Sequence, residues 1–281
     1  MKIGIIGNGF VGKATSEFYC KDIEVNIFDI NPDLCKPKNL KLIDMINCDI
    51  IFISVPTPMS NNGSCHLNIV KNVINDLNNI KYNNFIVLRS TVPVGTCEEL
   101  NCYFMPEFLT EMNYLDDFRN NKEWIFGLKG ADNDNIFKEK VFELINLSFN
   151  NKKINYNKIS FVTTKEAEMI KTFRNSFLAT KVSFCNEIYQ FCKKKNINYD
   201  NFINIACNDE RLTHSHTKVP GPEGKFGFGG TCFPKDISSL KYEMNNVGLE
   251  SIILDSVIHR NNNIDRPNGE WKGDKGRSHI D

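Results

Sequence analysis

Nowhere in this sequence does an apolar run approach the ~18–20 residues that cross a bilayer. The opening Met-Lys-Ile-Gly-Ile-Ile-Gly is too short and too broken by glycine for the hydrophobic region of a signal peptide. The expectation is therefore a soluble, cytoplasmic protein with no membrane partner. An excess of charge is lacking too: 34 Lys and Arg stand against 34 Asp and Glu, a formal net charge of +0. Nothing draws the whole molecule to nucleic acid or to an anionic surface. The one basic cluster, Lys193-Lys194-Lys195, closes a helical pattern, where cations complement the helix end. Cys-x-x-Cys pairs are missing, and no His/Cys group has zinc-ligand spacing, which argues against a metal site. Ten cysteines remain, spread along 281 residues. Without a leader they read as reduced thiols, and most of them (Cys20, Cys48 and Cys185 among them) as small apolar filler.

What is present is an alternation of short apolar runs with helical patterns. Segments 2–6, 24–29, 49–55, 85–88, 102–105, 124–128 and 159–162 are rich in β-formers and largely apolar, as in strands buried on both faces. Segments 10–20, 40–46, 67–77, a stretch after 94 and 136–147 are helical. Strands alternating with helices predict an α/β fold with a doubly wound parallel sheet of Rossmann type over 1–160. The pattern then becomes all helical. Thr163 with Glu166 three residues on has the spacing of a capping box. A helix is predicted from there to about 195, with Ala167, Ile170, Phe173, Phe177, Leu178 and Val182 near one apolar face. Further helices are expected at 199–207 and from 234 to about 246. The helical domain is placed at 161–260, and 261–281 is expected to be a loosely held polar tail.

Two motifs carry chemistry. Gly7-Asn8-Gly9-Phe10-Val11-Gly12 follows a strand and opens a helix. The first glycine allows the tight turn, the second lets backbone N–H groups approach a pyrophosphate, and the third lets the helix pack on the sheet. A glycine-rich turn without a ligand has the same spacing, but Asp29 ends the second strand, where a carboxylate accepts hydrogen bonds from ribose hydroxyls. An acid there favours NAD over NADP. The second motif is Gly227-Phe228-Gly229-Gly230-Thr231-Cys232-Phe233-Pro234-Lys235-Asp236. Pro234 suits a first helical turn, which puts Cys232 at a helix N-terminus, where a thiolate is stabilised, with Lys235 as a second stabiliser. Asp236, four residues on, returns to the same face. A buried structural cysteine is the plainer alternative, but it leaves the glycines and the Pro-Lys-Asp unexplained. Two pairs at four-residue spacing are weaker signals: Lys171 with Asn175, usually an exposed pair, and Glu107 with Glu111, just beyond a strand end.

In order along the chain, Gly7–Gly12, Ser54-Val-Pro-Thr-Pro58, Ser90-Thr-Val-Pro93, Pro106-Glu-Phe-Leu109, Lys171-x-x-x-Asn175, Phe177-Leu-Ala-Thr-Lys-Val182 and 227–236 resemble the UDP-glucose/GDP-mannose dehydrogenase family. The resemblance implies two successive oxidations at a sugar-nucleotide C6, with UDP-glucose as the expected substrate and GDP-mannose or another UDP-sugar as alternatives. It implies that Cys232 attacks the aldehyde to give a thiohemiacetal, then a thioester that water hydrolyses. Lys171 and Asn175 would hold the oxyanion. Asp236 and Thr91 would position a water, with Glu107 as acid–base group. Carried over likewise, Thr57, Thr91 and Glu111 would line the nicotinamide side and Val11 and Asp29 the adenosine side, with Phe10 and Lys235 also expected to bind the cofactor. Glu107, Phe108, Leu109, Glu111, Lys171 and Asn175 with the loop Gly221, Pro222 to Lys225, and Gly229, would cradle the sugar nucleotide. The helix at 163–195 is the family's dimer-forming element, so a homodimer is expected.

Two departures from the family pattern stand out. Members commonly carry a third, C-terminal nucleotide-covering domain, and this sequence stops where it would begin. They also often place an Arg, reaching across from the partner subunit, before the glycine run; here that stretch reads Arg211-Leu-Thr-His214-Ser-His216-Thr-Lys218. Two other readings stay open: a two-electron dehydrogenase of the β-hydroxyacid type that needs no cysteine, and a non-catalytic nucleotide-binding protein.

Overall fold

The structure is a computed structural model and describes residues 1–273, 276, 279 and 280. It divides into two compact units, Met1–Thr57 with Leu67–Lys171, and Pro58–His66 with Thr172–Asp281.

The first unit is built on seven strands: β1 (Lys2–Ile6), β2 (Glu24–Phe28), β3 (Ile50–Ile53), β4 (Phe85–Leu88), β5 (Tyr103–Phe104), β6 (Trp124–Leu128) and β7 (Ile159–Thr163). They lie in the order β2-β1-β3-β4-β5-β6-β7. The first five are mutually parallel, β6 runs antiparallel to β5, and β7 is parallel to β6. Ile3, Ile5 and all of Ile50–Ile53 are fully buried, as isoleucine runs in a sheet covered on both faces must be. One face is covered by a cluster of Phe18, Phe118, Trp124, Phe137 and Val141, the other by Met45, Val70, Ile74, Leu77 and Ala167. Gly4 is needed here: a Cβ would strike Met45 and Ile51.

The helices of this unit are α1 (Phe10–Thr15), α2 (Asn68–Asn79), α3 (Thr96–Glu99), α4 (Tyr114–Arg119) and α5 (Asp134–Asn150). The helix expected over 10–20 is shorter, giving way to a 3-10 turn at Ser16, and the one expected at 40–46 is a 3-10 turn, Leu42–Asn47.

The long helix α6 runs Thr164–Lys194, about 46 Å at 1.5 Å per residue. Its N-terminus is the expected box: the Thr163 N–H and hydroxyl both donate to Glu166 Oε2, and the Glu166 N–H donates back to Thr163 Oγ1. The compact units part at Lys171/Thr172 and not near 160, because β7 is an edge of the sheet and Ala167 and Ile170 belong to its core. Gly127 makes that packing feasible, since a Cβ there would meet the Thr164 backbone. The expected apolar face of α6 is also corrected. Phe173 and Phe177 are exposed, and the buried stripe is Ala167, Glu168, Lys171, Asn175, Ala179, Ser183 and Asn186.

In the second unit, α6 from Thr172 onward packs with α7 (Tyr199–Ala206), α8 (Phe233–Asn246) and α9 (Ile252–Arg260). Residues 58–66 belong here through a bridge of Met59 to His279 and the approach of Gly63 to Ser238. The loose tail expected from 261 is not found in its first part. Asn261, Asp265, Arg266 and Trp271 are buried, because Asn261 pairs its side-chain amide with both backbone groups of Phe228. All ten cysteines are free thiols. Among the described residues, no helix is long and apolar enough to cross a membrane, and no His/Cys/Asp/Glu cluster is gathered for a metal.

Candidate active site

The residues singled out from the sequence fall into two groups, one in each unit. In the first unit they line the carboxyl ends of the parallel strands, where doubly wound sheets bind ligands. After β1, Gly7 has φ 93 and a Cβ on it would collide with Ser54 O, while one on Gly12 would collide with Gly7 O. Gly9 caps α1 and has no atom within 4 Å of the position a Cβ would take, so the backbone there is open to a ligand. Asn8 Oδ1 beside it is buried without a hydrogen-bond partner. Phe10 and Val11 follow in the first turn of α1. After β2, the Asp29 carboxylate accepts the Asn8 N–H (2.7 Å) and the Asn31 N–H (2.9 Å), which fixes it and leaves lone pairs for ribose hydroxyls. An open glycine turn, an orphan amide oxygen and a fixed carboxylate suit a dinucleotide.

Further along the same edge, buried Thr57 donates its hydroxyl to Thr91 O at 2.7 Å, joining the segments after β3 and β4. After β5 comes Glu107, buried, with Oε1 2.6 Å from Lys171 Nζ and Oε2 accepting the Leu109 N–H at 2.9 Å. Burial pushes the Glu107 carboxyl up, but the Lys171 ammonium, the two hydrogen bonds and the Arg89 guanidinium outweigh it and hold the acid below its ordinary range. Glu107 is therefore ionised at neutral pH. Lys171 Nζ also lies 5.8 Å from the Phe108 ring centroid. Glu111 is exposed.

The second unit holds the cysteine motif. Cys232 is the N-cap of α8, with Pro234 in its first turn, as expected. Its thiol is partly exposed, in contrast to the buried Cys185, Cys192 and Cys207 of the same unit, and lies 3.8 Å from Thr231 Oγ1. Asp236, buried one turn on, accepts from Asn175 Nδ2 at 2.6 Å and lies 3.3 Å from Lys235 Nζ. Lys235 is thus an ion-pair partner of Asp236 as well as a neighbour of the thiol in sequence. The loop from Gly221 to Lys225, Pro222 included, is a tight turn with Gly221 N–H donating to Lys225 O. The adjoining stretch 211–218 is pinned by Lys181, which donates to the carbonyls of Leu212 and Thr213. Arg211 is exposed and pairs with Asp209. The His216 ring lies 5.6 Å from that of Phe233, and burial, then the Lys181 charge, lowers its basicity.

Several residues of this neighbourhood escaped the sequence reading. Arg89 is wholly buried, its Nη1 on Thr15 Oγ1 at 2.6 Å. Glu168 accepts the N–H groups of Gly95 and Cys97 at 2.6 and 2.8 Å. Asn186 accepts the Gly227 N–H at 3.0 Å. A signal existed for two of them: Glu168, Lys171, Asn175 and Asn186 form a polar stripe at helical spacing on α6.

The open glycine turn and the fixed acid give the first unit the features of a dinucleotide-binding domain, and the second unit carries a cysteine at a helix start. Comparison with known proteins makes this particular. Residues 35–146 match the NAD binding domain of the UDP-glucose/GDP-mannose dehydrogenase family, and 165–263 match that family's central domain. The chain belongs to this family. A UDP-glucose 6-dehydrogenase of Rickettsia typhi is 30% identical over 246 residues, covering 83% of this chain and 53% of that protein. One of Bacillus subtilis is 28% identical, covering 94% and 66%. The chain thus spans about half the length of the first of these relatives. In fold it is similar to a UDP-glucose dehydrogenase of Pyrobaculum islandicum, with TM-score 0.80 at 22% identity, covering 93% of this chain and 68% of that one.

Proposed function

We propose that the chain carries out NAD-dependent oxidation of a sugar-nucleotide C6 alcohol to the carboxylate, with UDP-glucose as substrate. The observation that supports it most is Cys232: a partly exposed thiol at the start of α8, followed by the Asp236–Asn175 pair, in a chain of this family. NAD supplies the hydride acceptor for both oxidations. Gly7, Gly9 and Gly12 admit its diphosphate, Asp29 holds the ribose, and Thr57 and Thr91 border its nicotinamide end.

In the second oxidation the Cys232 thiolate forms a C–S bond to the aldehyde carbon, and the carbonyl electrons move onto oxygen. Lys171 and Asn175 stabilise that oxyanion. Loss of hydride leaves a thioester. Water adds to it, the C–S bond breaks and the thiolate departs with the acid formed. Glu107, ionised, serves as base toward that water, and Asp236 fixes the Asn175 amide.

The test is a panel of UDP- and GDP-sugars assayed with NAD, counting NADH per product and weighing the product. Two NADH per acid are expected with UDP-glucose. Cys232→Ser is expected to abolish acid formation while NAD still binds; unchanged acid production by this variant sinks the mechanism. One NADH per product selects the β-hydroxyacid-type reaction, and none with any sugar selects a nucleotide-binding role. The partner proposed is a second copy of the chain, met through the exposed side of α6, where Phe173, Phe177, Phe184 and Phe191 stand out.

A further inference from the structure

We infer that Arg266 is a positioning residue for the sugar nucleotide, fixing the loop 221–226 and the glycine run that follows it in the shape that receives the substrate. This rests on the reading above, in which that loop and Gly229 cradle the sugar nucleotide. Arg266 lies past residue 263, where the match to the family's central domain ends.

The loop reaches an apolar neighbour through Phe226, whose ring lies 5.7 Å from that of Tyr189. Residues 222–226 are all exposed, and its internal ties are two turn bonds, Gly221 N–H to Lys225 O and Gly224 N–H to Gly221 O. Arg266 is buried, at 7% exposure, and every arm of its guanidinium is turned to this region. Nε donates to Phe226 O at 2.8 Å, Nη2 meets Glu223 at 3.0 Å, and Nη1 meets Glu270 at 2.5 Å. Lys225 reaches the same Glu270 oxygen at 3.1 Å. One rigid fork therefore holds the turn directly at Glu223 and Phe226 and, through Glu270, at Lys225, which the flexible point charge of a lysine does not reproduce.

The glycine run bears the imprint of this arginine. A Cβ on Gly229 would collide with Arg266 Nη1, so the glycine there makes room for the guanidinium. Gly227, at φ 61, is hemmed in by Asn261 and Asp265, and Asn186 holds its N–H. Asn261 pairs with Phe228 through both its amide atoms. The run that leads into Cys232 is thus held by α6 on one side and by 261–270 on the other.

The test uses Arg266→Ala, Arg266→Lys and the milder, exposed-site Glu223→Gln in the full chain. Readouts are steady-state kinetics with UDP-glucose and NAD, the melting temperature, and amide exchange at Gly221 and Gly224. Arg266→Ala is expected to raise the KM for the sugar nucleotide about tenfold, with kcat, the KM for NAD and the melting temperature near wild type. Exchange at both glycines is expected to accelerate, Glu223→Gln to show a smaller change in the same sense, and lysine to rescue in part. An unchanged substrate KM overturns the inference. So does a parallel loss of kcat and both KM values with a lowered melting temperature, the mark of a purely structural arginine. If the wild-type chain turns over no sugar nucleotide, the functional reading itself has failed; an active wild type with an indifferent Arg266→Ala removes this inference alone.

Discussion

Glu107 shows how a single buried carboxylate ties stability to the chemistry asked of it. It sits between Lys171 and Arg89, two cations nearly removed from solvent. Its acidity in the folded chain is greater than the 4.5 expected of a free glutamate, so folding favours the ionised form. The stabilisation is therefore complete above about pH 4.5 and is lost as pH falls through the lower, folded value. Glu107→Gln leaves two buried cations without their carboxylate and is expected to cost about 3–5 kcal/mol at pH 7. Urea unfolding at pH 7 and at pH 4 checks this: the gap between wild type and variant narrows on acidification. A gap that stays constant with pH refutes the charge argument. In catalysis the same variant removes the proposed base, so acid release slows even where the fold survives.

At the scale of elements, helix α6 turns polar groups inward and phenylalanines outward. Its buried stripe delivers Lys171 and Asn175, and one turn earlier Glu168, whose carboxylate spans the N–H groups of Gly95 and Cys97. That contact anchors the turn that follows Thr91. Glu168→Ala strands two backbone donors, at about 1–3 kcal/mol each. Glu168→Gln keeps one acceptor oxygen and is expected to lose about half as much, measured as the shift in urea midpoint. Equal losses for the two variants defeat this account.

The sequence was legible wherever the determinant was local. Gly7 makes the tight turn and Gly12 the close helix packing that their spacing announces, the isoleucine runs are buried strands, and Thr163 with Glu166 marks the start of α6 to the residue. What was misread on α6 was which side faces inward. Phenylalanines at helical spacing suggested a core face, while burial went to Glu168, Lys171 and Asn175. Such charged and amide groups become inward residues only once paired with Glu107, the Gly95 turn and Asp236, which lie 61 to 73 residues away. The segment after 260 was misjudged for the same reason. Its polar composition suits a loose end until Arg266 meets Glu223 and Phe226 across 43 and 40 residues. Cys232 differs from its nine fellow thiols by its glycine and proline flanks, a local mark from which its place at the start of α8 is legible.

For the whole molecule the question is what covers the outer side of α6. Phe173 and Phe177 stack with ring centroids 5.9 Å apart, and with Phe184 and Phe191 they are 56–65% exposed. Phe177, Phe184 and Phe191 recur every seven residues, the interval that keeps side chains in one seam between two helices. An uncovered stripe of this size is rare on a monomer, and a second α6 laid along it buries the rings of both copies. Replacing Phe177 and Phe184 by serine removes four rings per dimer. At about 1.5 kcal/mol or more for each ring buried, dimerisation weakens on the order of ten-thousand-fold. Since these rings are outside the protomer's core, the far-ultraviolet circular dichroism of the double variant should match wild type. Sedimentation velocity at micromolar concentration is expected to show a dimer for the wild-type chain and a folded monomer for the double variant. A monomeric wild type would remove the proposed partner, and a variant that remains dimeric would move the interface off this seam.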